Sequence, residues 1–481
     1  MIVVSLFSDY LESNKETLQL ADVVEVRFDL SKRLHINGIK AHDYSSILDS
    51  EKAKNLNKPI MLTIRSKNEG GKCESTKVAH MLIKEGLKEE WNYIDLEYKR
   101  DGKFIEECKK IKKNSQIILS YHSQKNLRNR NLETLIKKMA EKKPEYIKIV
   151  LNLKSIEDAL KALYLRDKYY FYNITILSSG KCNEFMRAIN AKDKKSFSFG
   201  YIDESKKTSE WLMNIKELYS MKNSSVYYGL IGWPLKYSLS PKIFQSFSHM
   251  INAYLPYFIL PVKSKNNLGM VIENLRQFSF GGINVTSPYK EHIIPHIDII
   301  SPEVERTGVV STITMNNAYS IGNNNDYKVL EGEIKKYNLD GEAVVLGTGA
   351  TSKTAIAVLA DLGYRVYVKS RKEKKVEKLM KKFSVKKYEE KEYSIAINTT
   401  TVGSLINSFP YKLPTLTKNS LAIDFAYNQS NDTPFIIEMK KQAEYIVNGK
   451  ELVLNHAIHT IKDWLGNVSE NYINQLKALK L

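Results

Sequence analysis

Hydrophobic positions in the first 220 residues recur in two alternating rhythms. Short apolar or alternating runs read as strands: IVVSLF (2–7), VVEVRF (23–28), IMLTIR (60–65), YIDLEY (93–98), QIILSY (116–121), IKIVL (147–151), YNITIL (172–177) and FSFGY (197–201). Amphipathic stretches of helical length lie between them, such as EDALKALYLRDK (157–168). Eight strands, each followed by a helix, predict a (β/α)8 barrel. Several strands alternate in chemistry as well. Glu25, Arg27 and Asp29 share one face of VVEVRFD, Asp95 and Glu97 one face of YIDLEY, and Lys148 and Val150 one face of YIKIVLN. The outside of such a sheet is covered by helices, so the polar face must line the barrel interior.

Beyond a polar linker candidate at 218–225 (LYSMKNSS), the pattern changes. Residues 226–335 read as mixed α/β, with strands near YYGLIG, YFILPV, GGINVT and STITM and helices such as PKIFQSFSHMI. GEAVVLG (341–347) opens a further unit: a strand, a glycine turn and the helix TAIAVLADLG. RVYVKSR is its second strand and AIDFAY (422–427) a late strand of the same sheet. The tail LVLNHAIHTIKDWL reads as a helix returning to the middle region.

At 481 residues the chain needs several domains, and 43% hydrophobic with 26% charged residues is a globular composition. Cys73, Cys108 and Cys182 form no CxxC pair and no Cys/His cluster, so neither a disulfide framework nor a metal site is expected. MIVVSLFSDY has no basic n-region and too short an apolar run for a signal peptide, and no run reaches membrane-spanning length. The expected placement is cytoplasmic, without a membrane partner. The net charge of +19 raises the question of nucleic acid. The lysines are dispersed among glutamates, as in KKMAEKKPE and RKEKKVEKLMKK, in the manner of solvated helix faces. Nucleic-acid binding is therefore not expected and stays a remote alternative, while the charge also favours small anionic ligands. Nothing in the sequence specifies an oligomeric state.

Arg27, Arg65, Glu97, His122 and Lys148 fall at or near predicted strand C-termini, the face that carries active sites in such barrels. An amine on an inner strand, a histidine on the neighbouring strand and arginines around them suggest a Schiff-base reaction on an anionic ketone. The imine acidifies the adjacent carbon, His122 takes that proton and passes it to a leaving hydroxyl, and Glu69 orients the histidine. The ordinary alternatives are a Lys148 paired with Glu25 or Glu97 and a His122 that is a hydrogen-bonded rim residue.

EVRFDL (25–30), TIRSKNEGG (63–71), DLE (95–97), SYH (120–122) and YIKI (146–149), in this order and spacing, resemble type I 3-dehydroquinate dehydratase. The resemblance implies that Lys148 forms the imine, with His122 as general acid/base and Glu69 its partner. It also implies that Glu25, Arg27, Arg65 and Arg187 (in FMRA) hold the substrate. Two stretches depart from the family: a Met-rich strand end is ILSSG here, and the lid motif S-x-P-G-Q is replaced by ESKKTSEW (204–211).

In VVLGTGATSKTA (344–355), Gly347 and Gly349 lie between a strand and a helix, ahead of Ala350, and permit close backbone approach to a pyrophosphate at the helix N-terminus. The third glycine of G-x-G-x-x-G is absent, so a plain β-turn-α stays open on this motif alone. RVYVKSRK ends in Ser370, Arg371 and Lys372, where an NAD-binding unit would carry an acid; basic residues there suit the 2′-phosphate of NADP.

YSLSP (237–241), INVTSPYK (283–290) and GNNND (322–326), with this glycine turn, resemble shikimate dehydrogenase over 226–481. INTTTVGS (397–404), DFAYN (424–428) and NGKELVLNHA (448–457) fit its later motifs. The resemblance implies Lys290 and Asp326 as the catalytic pair. Ser238, Ser240, Asn284, Thr286 and Tyr427 become substrate contacts, and Gly449 a cofactor contact. Ser311 stands where the family carries a substrate-binding asparagine, and His456 where it carries a glutamine. On the residues alone, the alternatives of a surface lysine at Lys290, after a Pro-Tyr turn, and a turn residue at Asp326, in an Asn-rich loop, stay open.

Together the resemblances predict an α/β chain in four parts: a dehydratase TIM barrel (1–219), a substrate-binding domain (226–335), a Rossmann NADP domain (336–450) and a C-terminal helix returning to the substrate domain (451–481). The expected function is dehydration of 3-dehydroquinate followed by NADPH-dependent reduction to shikimate. The alternatives are one catalytically degenerate half, or a quinate/shikimate dehydrogenase.

Overall fold

The computed structural model describes residues 1–7, 15–30, 57–235, 238–404, 408–428 and 432–480. The chain forms two compact units, Met1–Ser225 and Val226–Leu481.

In the first unit the strands are β1 (Ile2–Phe7), β2 (Val23–Arg27), β3 (Ile60–Thr63), β4 (Tyr93–Glu97), β5 (Gln116–His122), β6 (Tyr146–Leu151), β7 (Ile174–Ser178), β8 (Ser198–Tyr201) and β9 (Met213–Asn214). They form one parallel sheet in the order β7-β6-β5-β4-β3-β2-β1-β8-β9. No ladder joins β7 to β8 among the described residues. Side chains bridge that seam: Thr175 Oγ1 accepts from Phe197 N at 2.8 Å, and Ser196 Oγ donates to Ile174 O at 3.1 Å. The barrel predicted from eight strands is thus wound in parallel, with a ninth short strand that no hydrophobic run announced.

The interior is layered. Val3, Val23, Met61, Ile118 and Phe197 form an apolar cluster, with Tyr93 and Tyr146 packed against it. Two residues further along six of these strands come Ser5, Glu25, Thr63, Asp95, Ser120 and Lys148, all buried. A period of two keeps each pair on one face, so the apolar layer becomes the floor under a polar one.

Helix α1 (Asn183–Lys192) follows β7, and α2 (Ile215–Asn223) closes the unit. The linker predicted at 218–225 is therefore mostly helix. Asn214 caps it by accepting from Lys216 N, and Leu218 and Met221, three residues apart, are buried on one face.

The second unit holds two sheets. The first is β10 (Tyr227–Gly232), β11 (Tyr257–Pro261), β12 (Phe280–Val285), β13 (Ile299–Ile300), β14 (Thr312–Met315) and β15 (Ser320–Asn323), in the order β11-β10-β12-β14-β15-β13. The second is β16 (Glu342–Leu346), β17 (Arg365–Lys369), β18 (Lys386–Lys387), β19 (Glu392–Asn398), β20 (Thr415–Asp424) and β21 (Tyr445–Val447). Its order, β18-β17-β16-β19-β20-β21, is the doubly wound arrangement, which opens a crevice at the ends of the paired strands β16 and β19, where the strand order reverses. The late strand predicted at 422–427 ends instead at Asp424.

Three helices position the second site: α3 (Asn325–Lys335), α4 (Ala350–Asp361) and α5 (Gly449–Leu465). Leu454, Ala457, Ile458 and Ile461 of α5 are buried with Tyr228, Phe244 and Phe247, and Trp464 Nε1 donates to Ile313 O at 3.0 Å. Among the described residues no helix is long and apolar enough to cross a membrane.

Candidate active sites

A cavity of about 170 Å³ opens above the polar layer of the barrel. Its lining includes Glu25, Arg27, Arg65, Glu69, His122, Lys148 and Arg187, the seven residues to which the resemblance gives a catalytic or substrate-holding role in this half, whereas Glu97 does not line it. Period-two alternation delivers Glu25, Arg27 and Lys148 to it, while Glu69 arrives on the turn after β3 and His122 ends β5.

Lys148 is 3% exposed and donates to Asp95, not to Glu25 or Glu97. Asp95 Oδ2 also accepts from Arg65 Nη2 at 2.7 Å, and Asp95 Oδ1 from Ser120 Oγ at 2.6 Å. Burial pushes the Asp95 carboxyl up, but Arg65 and Lys148 overcome it and hold it far below the carboxylate range. Burial lowers the Lys148 pKa; Asp95 counters this and Arg65 adds to it. The alternative partners are engaged elsewhere. Glu25 accepts from Ser5 and, at 2.9 Å, from Thr63 Oγ1, and Glu97 Oε1 accepts from Ser66 N at 2.7 Å and Arg65 Nη1 at 3.3 Å.

His122 Nδ1 lies 2.8 Å from Glu69 Oε2. Burial raises Glu69 to about 7, and burial together with Arg65 and Lys148 drives the His122 pKa well below its ordinary value. Arg27 is a bidentate partner of Asp29, with both bonds 2.8 Å. Arg187 differs from the other cations of the cavity. Among the described residues its hydrogen bonds all run to neutral acceptors: Asn183 Oδ1 (2.7 Å), Trp211 O (3.0 Å) and Phe199 O (2.7 Å). Burial lowers its pKa to about 10. The stretch that lacks the family's lid motif still reaches the cavity through Thr208, Ser209 and Trp211, and Ser178 and Ser179 of ILSSG line it too.

In the second unit Lys290 Nζ lies 2.5 Å from Asp326 Oδ2. Lys290 follows β12, and Asp326 stands in the first turn of α3, whose N-cap Asn324 accepts from Tyr327 N. Burial raises the Asp326 carboxyl, but Lys290 and His456 hold it below its ordinary value. His456 Nε2 lies 3.2 Å from Ser311 Oγ, 3.4 Å from Thr312 Oγ1 and 3.8 Å from Asp326 Oδ1. Burial lowers its pKa to about 4, so it is neutral near pH 7. The two residues that depart from the family, Ser311 and His456, thus contact each other. Asn284 Nδ2 donates to Thr312 Oγ1 (3.1 Å) and Thr460 Oγ1 (3.2 Å), while its Oδ1 accepts from the Tyr257 hydroxyl (2.9 Å).

Ser240 reaches the same Tyr257 hydroxyl, and Tyr427 acts electrostatically on it. Ser238 Oγ accepts from Ser240 N at 3.2 Å; Tyr237 of that motif lies outside the described residues. Thr286 N–H donates to Ile231 O at 2.9 Å, its carbonyl accepts from Tyr289 N at 3.0 Å, and its methyl packs over Gly232.

Gly347 has φ +123°, a conformation that favours glycine, and its N–H donates to Lys369 O at 3.0 Å. That bond sets the glycine turn beside Ser370–Lys372 at the end of the neighbouring strand. Gly349 precedes Ala350 at the start of α4, and a Cβ there would meet nothing within 4 Å, which leaves a cradle at the helix N-terminus. Arg371 and Lys372 are exposed. At Gly449 a Cβ would come within 2.4 Å of Ala426 O, so glycine lets α5 start against the backbone after β20.

Sequence reasoning gave no role to Asp95, Ser120, Asn183, Thr312 or Thr460. Asp95 had a visible signal, a carboxylate on the inward face of a covered strand. The hydroxyls had none, since their partners lie up to 176 residues away.

A lysine-centred cavity in one unit, and a Lys–Asp pair with a dinucleotide cradle in the other, define a two-site enzyme. Comparison with known proteins agrees. Residues 2–223 match the family model of type I 3-dehydroquinase, and residues 230–313 that of the shikimate dehydrogenase substrate binding domain. The shikimate dehydrogenase (NADP(+)) of Clostridium beijerinckii is 32% identical over 261 residues, covering 52% of this chain and 95% of its own. That of Aquifex aeolicus is 29% identical over 275 residues, covering 52% and 97%. Among solved structures, the Thermus thermophilus shikimate 5-dehydrogenase in complex with NADP(H) and shikimate has a TM-score of 0.47 at 22% identity, covering 53% of this chain and 98% of its own. The S. pombe AroM structure of dehydroquinate dehydratase and shikimate dehydrogenase has a TM-score of 0.43 at 19% identity, covering 99% and 98%. The chain belongs to the shikimate dehydrogenase family and carries, ahead of that portion, a type I 3-dehydroquinase domain.

Proposed function

We propose that the two sites act in series: the barrel dehydrates 3-dehydroquinate, and the second unit reduces the resulting 3-dehydroshikimate to shikimate with NADPH. The observation that carries this reading is the barrel cavity, where a buried lysine, a histidine–carboxylate pair and an arginine with only neutral acceptors meet.

Arg187 supplies the uncompensated charge that a substrate carboxylate needs. Lys148, biased toward the free amine by burial, attacks the ketone carbon, and the carbonyl oxygen leaves as water to give an imine. Glu69 occupies His122 Nδ1, which leaves Nε2 to take the proton from the carbon next to the imine. The electron pair moves into the ring as the β-hydroxyl leaves, and His122 returns its proton to that oxygen. Water then hydrolyses the imine and frees Lys148.

The second site fits NADP. The space at Gly349, the turn at Gly347 and the α4 N-terminus suit a pyrophosphate, and Ser370, Arg371 and Lys372 suit a 2′-phosphate. Bound there, the cofactor supplies the hydride. Asp326 holds Lys290 beside the reacting oxygen, and Lys290 donates the proton that completes the hydroxyl. Asn284, Ser311 and His456 line the approach with hydroxyl, amide and neutral imidazole groups. The three cysteines are buried and none is in a disulfide among the described residues, in keeping with a reducing cytoplasmic setting.

Purified protein given 3-dehydroquinate without NADPH should accumulate 3-dehydroshikimate, and NADPH added next should be consumed. Borohydride added with 3-dehydroquinate should trap substrate on Lys148. Absence of dehydration, or trapping on another lysine, overturns the barrel assignment; absence of NADPH consumption overturns the second.

A further inference from the structure

Arg187 is 4% exposed, and no carboxylate faces it among the described residues, whereas Arg27, Arg65, His122 and Lys148 in the same cavity each have one. Its Nε and Nη1 are fixed by neutral oxygens, which sets the guanidinium plane and leaves Nη2 without a partner among the described residues. One residue makes two of the contacts that hold this arrangement. Asn183, at the start of α1 and one turn before Arg187, accepts from Arg187 Nε at 2.7 Å and donates from Nδ2 to Trp211 O at 2.7 Å. Trp211 O accepts from Arg187 Nε as well, at 3.0 Å, so the three groups close a triangle. Trp211 belongs to the stretch whose Thr208, Ser209 and Leu212 also wall the cavity.

We infer that Asn183 is a positioning residue for substrate recognition in the barrel: it aims Arg187 Nη2 at the carboxylate and ties the 208–212 wall to the same guanidinium. This rests on the dehydratase reading above. An amide suits the position because it offers one acceptor and one donor without adding charge. A carboxylate there would hold the guanidinium but offset the charge meant for the ligand. The substrate carboxylate keeps its charge throughout the reaction, so Arg187 binds ground state and transition state alike, and disturbing its aim acts on KM rather than kcat.

The test uses the full chain with wild type, Asn183→Ala and Asn183→Asp, each assayed for dehydration and, as an internal control of folding, for reduction of 3-dehydroshikimate. Asn183→Ala should raise the KM for 3-dehydroquinate about tenfold with kcat within about twofold, and leave reduction unchanged. Asn183→Asp keeps the acceptor for Arg187 Nε, so the barrel stays assembled if the alanine variant does not fold; its KM should also rise about tenfold or more, with kcat retained. A wild-type KM in either active variant overturns the inference, as does a fall in kcat at constant KM. Wild-type protein that does not dehydrate 3-dehydroquinate would remove the reading beneath it, a result visible before either variant is assayed.

Discussion

Lys148 and Asp95 form a buried ion pair at the centre of the barrel, in which Nζ donates to the oxygen that also takes Arg65 Nη2. Asp95 therefore acts on Lys148 in two ways. It holds the amine in place and favours its charged form, against the burial that favours the free base.

Replacing Asp95 by asparagine keeps the shape and removes the charge that opposes deprotonation. The acid limb of borohydride trapping should move to lower pH. The barrel should lose up to about 3–5 kcal/mol, because Arg65 and Lys148 lose a buried counter-charge. The wild-type Asp95 pKa is depressed in the folded state, so its stabilisation is present above about pH 4 and fades on acidification toward the folded value. Denaturant titrations at several pH values should show a steeper acid-side slope in the wild type than in Asp95→Asn, in which Asp29 and Asp326 still contribute. An acid limb that stays put or moves to higher pH would count against this role.

Glu69 is pushed by burial to about 7 and contacts His122 Nδ1. Ionised above that pH, it holds the imidazole in the tautomer whose Nε2 is basic; protonated below it, it does not. Dehydration should therefore rise through about pH 7. Glu69→Gln should lower kcat by about tenfold to a hundredfold and remove that inflection, a pattern read from kcat–pH profiles. An unchanged inflection would assign it to another group.

Lys290 and Asp326, 2.5 Å apart, should act as one unit. Each single alanine change should reduce the rate of NADPH-dependent reduction by about a hundredfold or more, and the double variant should be little worse than the worse single. Dehydration should be unchanged in all three. Losses that multiply would show independent roles.

Arg371 is exposed beside the glycine turn, with Ser370 and Lys372 next to it. Arg371→Ala should weaken NADPH binding by about 1.5–3 kcal/mol and leave NADH nearly unaffected. Fluorescence titration of both cofactors decides; an equal loss argues against a 2′-phosphate contact.

Much of this was readable from one dimension because strand faces repeat every two residues. That period placed Glu25, Arg27 and Lys148 inside the barrel, and covering helices forced the polar face inward. It could not name the partner of Lys148, since Asp95, Glu25 and Glu97 all point inward and only strand stagger chooses among them. The 218–225 stretch reads as polar linker because its exposed helix face is polar; Leu218 and Met221 alone mark the buried one. The Asn183–Arg187–Trp211 triangle joins a helix to a backbone carbonyl, and a carbonyl carries no residue-type signal.

The seam between β7 and β8 leaves the barrel with an edge at β7 and a facing edge along the first half of β8, ahead of its Gly200–Tyr201 pairing with β9, and no ladder joins the two among the described residues. Amides along those edges lean on single side chains such as Thr175 rather than on a cooperative ladder. Ser178 and Ser179 at the end of one edge and Phe199 on the other line the cavity. The barrel should therefore breathe first along the line that borders its substrate, and deuterium should enter the β7 and β8 amides facing the seam before those of β4 or β5.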